Sequence, residues 1–312
     1  MDIERIAVIG AGVIGAGWVV QFLSRGRTVS VFDPAPSAHD RLRRSVEEAS
    51  EVVAALGGDL DGWESRLHVA DTLRAAVDGA DFVQENGPES VGRKELLLRD
   101  LDDAAPAGVV IASSTSSLQP SRLAAMCGRH PERLLVGHPF NPVYLIPLVE
   151  VVAGRSTDDE QVARAMSFYD AVGKKPVRLR AELPGHLANR LQAALWREAY
   201  SLVERGAASV ADIDAAIAHG PGLRWALLGP LVNQHLSGGP GGLAHLLEHL
   251  GPPTQALMDD LGAPRLTPYL ADLLVRGVDE ELKQVDQDAL VRQRDALLVE
   301  LLVAKSRADA LP

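Results

Sequence analysis

The sequence predicts an α/β protein: a doubly wound, largely parallel sheet domain over residues 1–183, followed by an all-α domain over residues 184–312. Three observations predict it. From residue 3 to about 183, short β-branched apolar runs alternate with amphipathic stretches, which is the pattern of βαβ units. A glycine-rich turn separates the first run from the first amphipathic stretch. After Leu183-Pro184-Gly185 the strand-like runs stop, and Leu187, Leu191, Leu195 and Leu202 fall at helical spacing. A chain of 312 residues with 46% hydrophobic content is long for one domain and can fill two cores.

Taken in order, Ile3–Ile9, Thr28–Phe32, Asp81–Gln84, Val109–Ala112 and Leu134–Gly137 read as strands, being short, apolar and β-branched. Val13–Arg25, Ala38–Leu56 and Arg93–Leu101 read as the helices between them. Near the end, Leu290, Leu297, Leu298, Leu301 and Leu302 line one face of a helix while Arg292, Asp295 and Glu300 occupy the other. That face fits packing on its own domain or an interface between two copies of the chain. Gly238-Gly-Pro-Gly-Gly242 reads as a flexible loop.

Composition narrows the function classes. A net charge of −11 repels nucleic acid and anionic membrane surfaces. No apolar run approaches the roughly eighteen residues needed to span a bilayer, and the start, Met-Asp-Ile-Glu-Arg, carries no secretory signal pattern. With Cys127 as the only cysteine, neither a disulfide within the chain nor a thiolate metal site is expected. A cytoplasmic protein without a metal is the expectation.

Gly10-Ala-Gly12-Val13-Ile14-Gly15 follows the first strand and opens the first helix, the context in which this glycine spacing binds a dinucleotide. Gly10 serves the tight turn, Gly12 lets backbone approach a pyrophosphate, and Gly15 lets helix and strand pack closely. Val13 and Ile14 stand in the first helical turn, whose unpaired N–H groups favour phosphate. Asp33 closes the second strand, where a carboxylate accepts from ribose hydroxyls and repels a 2′-phosphate. The first domain therefore reads as Rossmann-type and the cofactor as NAD, although flavin enzymes share the glycine motif.

His138-Pro-Phe140-Asn141-Pro-Val-Tyr144-Leu-Ile-Pro-Leu-Val-Glu150 follows the fifth predicted strand, so His138 falls at the carboxyl edge of the sheet, where open α/β folds bind ligands. Oxidising an alcohol requires a base for the hydroxyl proton, and histidine titrates near neutrality. A carboxylate on its other ring nitrogen would fix the tautomer, and Glu150 is the candidate.

This stretch resembles the motif of the 3-hydroxyacyl-CoA dehydrogenase superfamily, in which histidine and glutamate twelve positions apart form the catalytic pair. Asp81-Phe-Val-Gln-Glu85-Asn86, Ser113-Ser-Thr-Ser116-Ser-Leu118 and Leu183-Pro-Gly-His-Leu-Ala-Asn189-Arg-Leu also resemble it, so that the likeness covers most of the chain. The resemblance implies that Ser116 and Asn189 contact the oxygen region of the substrate, that Asn141 helps position cofactor and substrate, and that Glu85 lies by the nicotinamide ribose. It also implies a homodimer formed through the helical domain.

Gly220-Pro-Gly-Leu-Arg224-Trp225-Ala and the run from Pro139 resemble the carnitine 3-dehydrogenase branch most, with the gulonate dehydrogenases and lambda-crystallins next. The acyl-CoA branch places coenzyme-binding cations on a helical excursion; between residues 51 and 80 this chain has six acids and only Arg66 and Arg74. Lys94 is out of register with that branch's cofactor lysine, so the resemblance assigns it no such role. Arg224 offers bidentate geometry to a free carboxylate. Phe140, Tyr144 and Trp225 would enclose a quaternary ammonium, or else pack in the core. The reading is NAD-dependent oxidation of a small L-3-hydroxy acid. Its alternatives are a ketoreductase or dehydrogenase acting on a thioester or polyketide intermediate, and a non-catalytic role, against which His138 and Glu150 argue.

Overall fold

The computed structural model describes residues 3–311. Eight strands form one sheet: β1 Arg5–Ile9, β2 Thr28–Phe32, β3 Leu67–Val69, β4 Phe82–Glu85, β5 Val110–Ser113, β6 Leu134–Pro139, β7 Leu148–Ala153 and β8 Lys175–Leu179. Their order is β3-β2-β1-β4-β5-β6-β7-β8. The first six run parallel, β7 is antiparallel to β6, and β8 is parallel to β7. The five strands read from the sequence are all present, while β3, β7 and β8 are additional.

The central strands are buried on both faces because they send apolar residues alternately to opposite sides. Ile6 and Val8 of β1 enter one core with Trp18, Phe22, Phe82, Phe168 and Tyr169. Ala7 and Ile9 enter the other, with Leu98, Leu101 and Leu123. Aromatic stacking tightens the first: Trp18 lies 5.0 Å from Phe22 and 5.5 Å from Tyr169 between ring centroids. The expected helices form as Val13–Leu23, Ala38–Ala55 and Val91–Ala104.

The chain divides into two compact units, residues 1–190 and 191–312. The division falls just inside the helix Ala188–Glu204, later than the change of sequence character at Leu183. The second unit is all helical, and its last helix, Gln287–Ser306, carries the expected leucines. Those leucines are not packed away: Leu290 is 44% and Leu297 63% exposed. Among the described residues of this unit, Leu270 is the only buried hydrophobic side chain.

Candidate active site

The glycine turn is built as its spacing requires. Gly10 has a φ of 92°, and a Cβ there would stand 2.7 Å from the carbonyl oxygen of Asn86. At Gly15 a Cβ would lie 1.8 Å from the Gly10 carbonyl, so no other residue lets helix and turn come this close. Gly12 precedes the helix Val13–Leu23 with open space beside its Cα and no side chain capping the helix. Those free first-turn N–H groups fit a pyrophosphate.

Asp33 stands one residue beyond β2. Its Oδ2 accepts from the Ala11 amide at 2.6 Å and its Oδ1 from the Ala35 amide at 2.8 Å. A carboxylate oxygen accepts two hydrogen bonds, so each keeps capacity for a ribose hydroxyl. Arg41, which the sequence did not single out, donates from Nε to the Ala11 carbonyl at 3.1 Å and brings Nη2 within 3.8 Å of Asp33.

Glu85 is held by groups of the protein itself. Its carboxylate is wholly buried and bound by Lys94 Nζ at 2.9 and 3.0 Å, Ser113 Oγ at 2.5 Å and the Gly87 amide at 2.6 Å. A buried charge needs a partner, and these donors supply one. Lys94, given no role by the sequence, instead lines the cavity that also contains Ile14, Asn86, Ser114, Ser116 and His138. That cavity holds about 290 Å³.

Within it, Ser114 Oγ donates to Asn86 Oδ1 at 2.7 Å and accepts from Trp18 Nε1 at 3.1 Å and Gln84 Nε2 at 2.9 Å. Glu89 holds the serine loop: its Oε1 accepts from Thr115 Oγ1 at 2.6 Å, Ser117 Oγ at 2.8 Å and the Ser116 amide at 3.0 Å. Burial opposes the Glu89 charge. The bonds from Thr115 and Ser117, the Lys94 ammonium and the Ser116 amide outweigh it, holding its pKa below the ordinary value. Acidic residues at loop positions are common, so only the folded arrangement distinguishes Glu89.

The histidine–glutamate spacing has a geometric cause. β6 and β7 pair antiparallel with His138 directly opposite Glu150, and residues 140–147 form the loop between them. His138 Nδ1 and Glu150 Oε2 are 2.8 Å apart, both side chains nearly inaccessible. The other oxygen, Oε1, accepts from the amides of Leu187 and Ala188, each at 2.8 Å. Burial raises the Glu150 pKa, but the bond from His138 and these two amides more than offset it, so the group is held below the usual carboxylate value. A carboxylate only accepts, so His138 donates from Nδ1, and Nε2 is the ring nitrogen that Glu150 does not engage.

His186 was not singled out by the sequence either. It has a left-handed φ of 53°, the only such value at a non-glycine among the described residues. Its buried ring donates from Nε2 to the Thr115 carbonyl at 3.0 Å and lies 5.3 Å from the His138 ring. Burial is the main cause lowering its pKa, which disfavours a charge on this ring beside the pair.

Of the other predicted residues, Phe140 meets His138 edge-on at 5.1 Å between ring centroids. Asn141 is exposed and joined to Pro142 by a cis peptide bond, and Asn189 is half-buried in the first turn of Ala188–Glu204. Tyr144 packs, half-buried, against the first core. The loop around it is fastened by Lys174, whose buried ammonium donates to the carbonyls of Val143 and Ile146. Arg224 and Trp225 are exposed in the second unit, at the end of the short helix Pro221–Trp225.

What this fold and this pocket define is an NAD-dependent oxidoreductase that works on a CH–OH carbon. Residues 5–182 match the 3-hydroxyacyl-CoA dehydrogenase NAD binding domain, and residues 185–268 match the C-terminal domain of the same enzymes. The chain therefore belongs to the 3-hydroxyacyl-CoA dehydrogenase family. It is 49% identical to a protein named L-carnitine dehydrogenase from Streptomyces coelicolor, over 98% of this chain and 96% of that one. It is 43% identical to a 3-hydroxyacyl-CoA dehydrogenase from Gibberella moniliformis, over 99% and 97% of the two chains. A solved structure of 5-formyl-3-hydroxy-2-methylpyridine 4-carboxylic acid 5-dehydrogenase, an NAD+ dependent dismutase, superposes with a TM-score of 0.85 at 28% identity, covering 98% of this chain and 99% of that one. No helix among the described residues is long and apolar enough to cross a membrane.

Proposed function

We propose that the chain oxidises a small free L-3-hydroxy acid of the carnitine type to the 3-oxo acid, with His138 as general base and Glu150 as its orienting partner. The observation that carries this is the 2.8 Å bond between His138 Nδ1 and Glu150, which leaves Nε2 as the ring nitrogen able to accept the hydroxyl proton. When bound, NAD supplies the acceptor for the hydride. Gly10, Gly12, Gly15 and the first-turn residues Val13 and Ile14 would hold its pyrophosphate, and Asp33 the adenosine ribose. As the proton arrives, Glu150 stabilises the imidazolium, and its two backbone donors keep it from turning away. Ser116, from the cavity wall, and Asn189 are assigned to the substrate oxygens, Asn141 and Phe140 to its placement, and Arg224 with Trp225 to its carboxylate and cationic ends.

The carnitine-type substrate is supported by the name that the Streptomyces relative carries, and a thioester substrate by the name of the Gibberella relative. Turnover with NAD of free carnitine and gulonate against acyl-CoA thioesters decides between them. Activity confined to thioesters refutes the free-acid reading, and full turnover in His138→Gln refutes the base. The assembly proposed is a cytoplasmic homodimer built through the second unit. Supporting it are a unit with one buried hydrophobic side chain among its described residues and the exposure of Leu231 at 67%, Leu257 at 69% and Leu266 at 70%. A monomer in sedimentation at micromolar concentration refutes it.

A further inference from the structure

On the helix Gly242–Asp260, His245, Glu248 and His249 bring one ligand atom each to within 4.8 Å of one another. Positions i, i+3 and i+4 share one face of a helix, so the backbone alone sets this convergence. The two imidazole rings are 4.0 Å apart between centroids. A second observation concerns the tautomer. His249 Nδ1 lies 2.9 Å from the His245 carbonyl oxygen. A carbonyl cannot donate, so Nδ1 is the donor and Nε2 is the ring nitrogen left for a metal. Metal-binding histidines are ordinarily held this way, with the other ring nitrogen donating to a backbone carbonyl or carboxylate. All three side chains are exposed, so an ion has direct entry.

We propose that His245, Glu248 and His249 form a divalent transition-metal site, with Zn²⁺ the ion that suits it best. Two imidazole nitrogens and one carboxylate oxygen are zinc donors, and they leave a fourth position of the tetrahedron to water. Calcium and magnesium require sets of oxygen ligands, and a single carboxylate does not provide one. Bonds of roughly 2 Å in a tetrahedron separate donors by about 3.3 Å. Rotation of exposed side chains closes the remaining gap at little cost. Bound metal would tie one turn of this helix together in a unit whose only buried hydrophobic side chain, among the described residues, is Leu270. The site is independent of the proposed chemistry at His138.

The test is calorimetric titration of ZnCl₂ into the full-length chain stripped with chelator, with thermal unfolding followed with and without zinc. One equivalent per chain is expected, at a dissociation constant of about 10 μM or tighter, with a higher melting temperature when zinc is present. The double variant H245Q/H249Q should bind at least about 30-fold more weakly and lose the zinc-dependent rise, while melting like the parent without metal. E248Q should weaken binding by about 3- to 10-fold. H138Q should leave the titration unchanged, which separates this site from the His138–Glu150 pair. Binding below one equivalent, or undiminished binding in H245Q/H249Q, overturns the proposal.

Discussion

Glu150→Gln isolates the tautomer on which the proposed chemistry depends. In the parent, Oε1 accepts from the Leu187 and Ala188 amides and Oε2 faces His138 Nδ1. Glutamine has one oxygen and one NH₂ group, and the two backbone donors select the oxygen for their side. The NH₂ then faces His138 and donates, so Nδ1 must accept and the ring proton moves to Nε2. The nitrogen assigned to receive the substrate proton is thereby blocked, with no change of shape. Loss of the general base together with its carboxylate partner should lower the hydride-transfer rate by about two to four orders of magnitude, roughly 3–5 kcal/mol of barrier. Single-turnover NADH formation should show the fall, while NAD affinity and melting temperature stay close to the parent. A variant within about threefold of parental turnover would refute the assignment.

Further expectations follow from other groups. Asp33→Ala should reduce NAD preference by about tenfold, and with Arg41 released, NADP efficiency should rise; equal loss with both cofactors counts against the role given to Asp33. Arg224→Ala should lower efficiency on the best free hydroxy acid by about ten- to hundredfold, the loss of a charge-assisted pair, with Arg224→Lys restoring part; unchanged kinetics removes the carboxylate clamp. Lys174 is pushed down to about 7, first by burial and then by the Arg25 charge. Its folded value lies below its ordinary 10.5, so the unfolded chain binds the extra proton between those values and stability rises with pH across the window. The gain from pH 7 to 9 is about 2 kcal/mol, measurable by urea unfolding. Lys174→Met should flatten that rise.

How much was legible depended on whether a signal was local. The glycine turn, Asp33 and the His138 edge could be read because strand, turn and helix follow one another in the chain. β8 was obscured by Pro176 and by its two charged residues, which an outer strand tolerates. β7 carries Glu150 near its centre, and only the pairing with β6 makes it a strand. Glu89, Lys94 and His186 were unreadable for another reason. Each matters through partners on separate segments, Glu89 and His186 to the serine loop and Lys94 to Glu85, and no periodicity encodes such meetings. The lysines hint at it in hindsight: of five in the chain, two are buried and clamp the pocket and the loop beside it.

The antiparallel pairing of β6 with β7 separates the histidine–glutamate pair from the loop that joins the two strands. Because strand register places His138 opposite Glu150, the twelve-residue interval belongs to the connection and not to the pair. Residues 140–147 could be lengthened, shortened or replaced wholesale while both strands kept their alignment and His138 stayed opposite Glu150. On the proposed chemistry, such a scaffold lets new substrates be explored by recutting one loop, with the histidine–glutamate pair inherited unchanged.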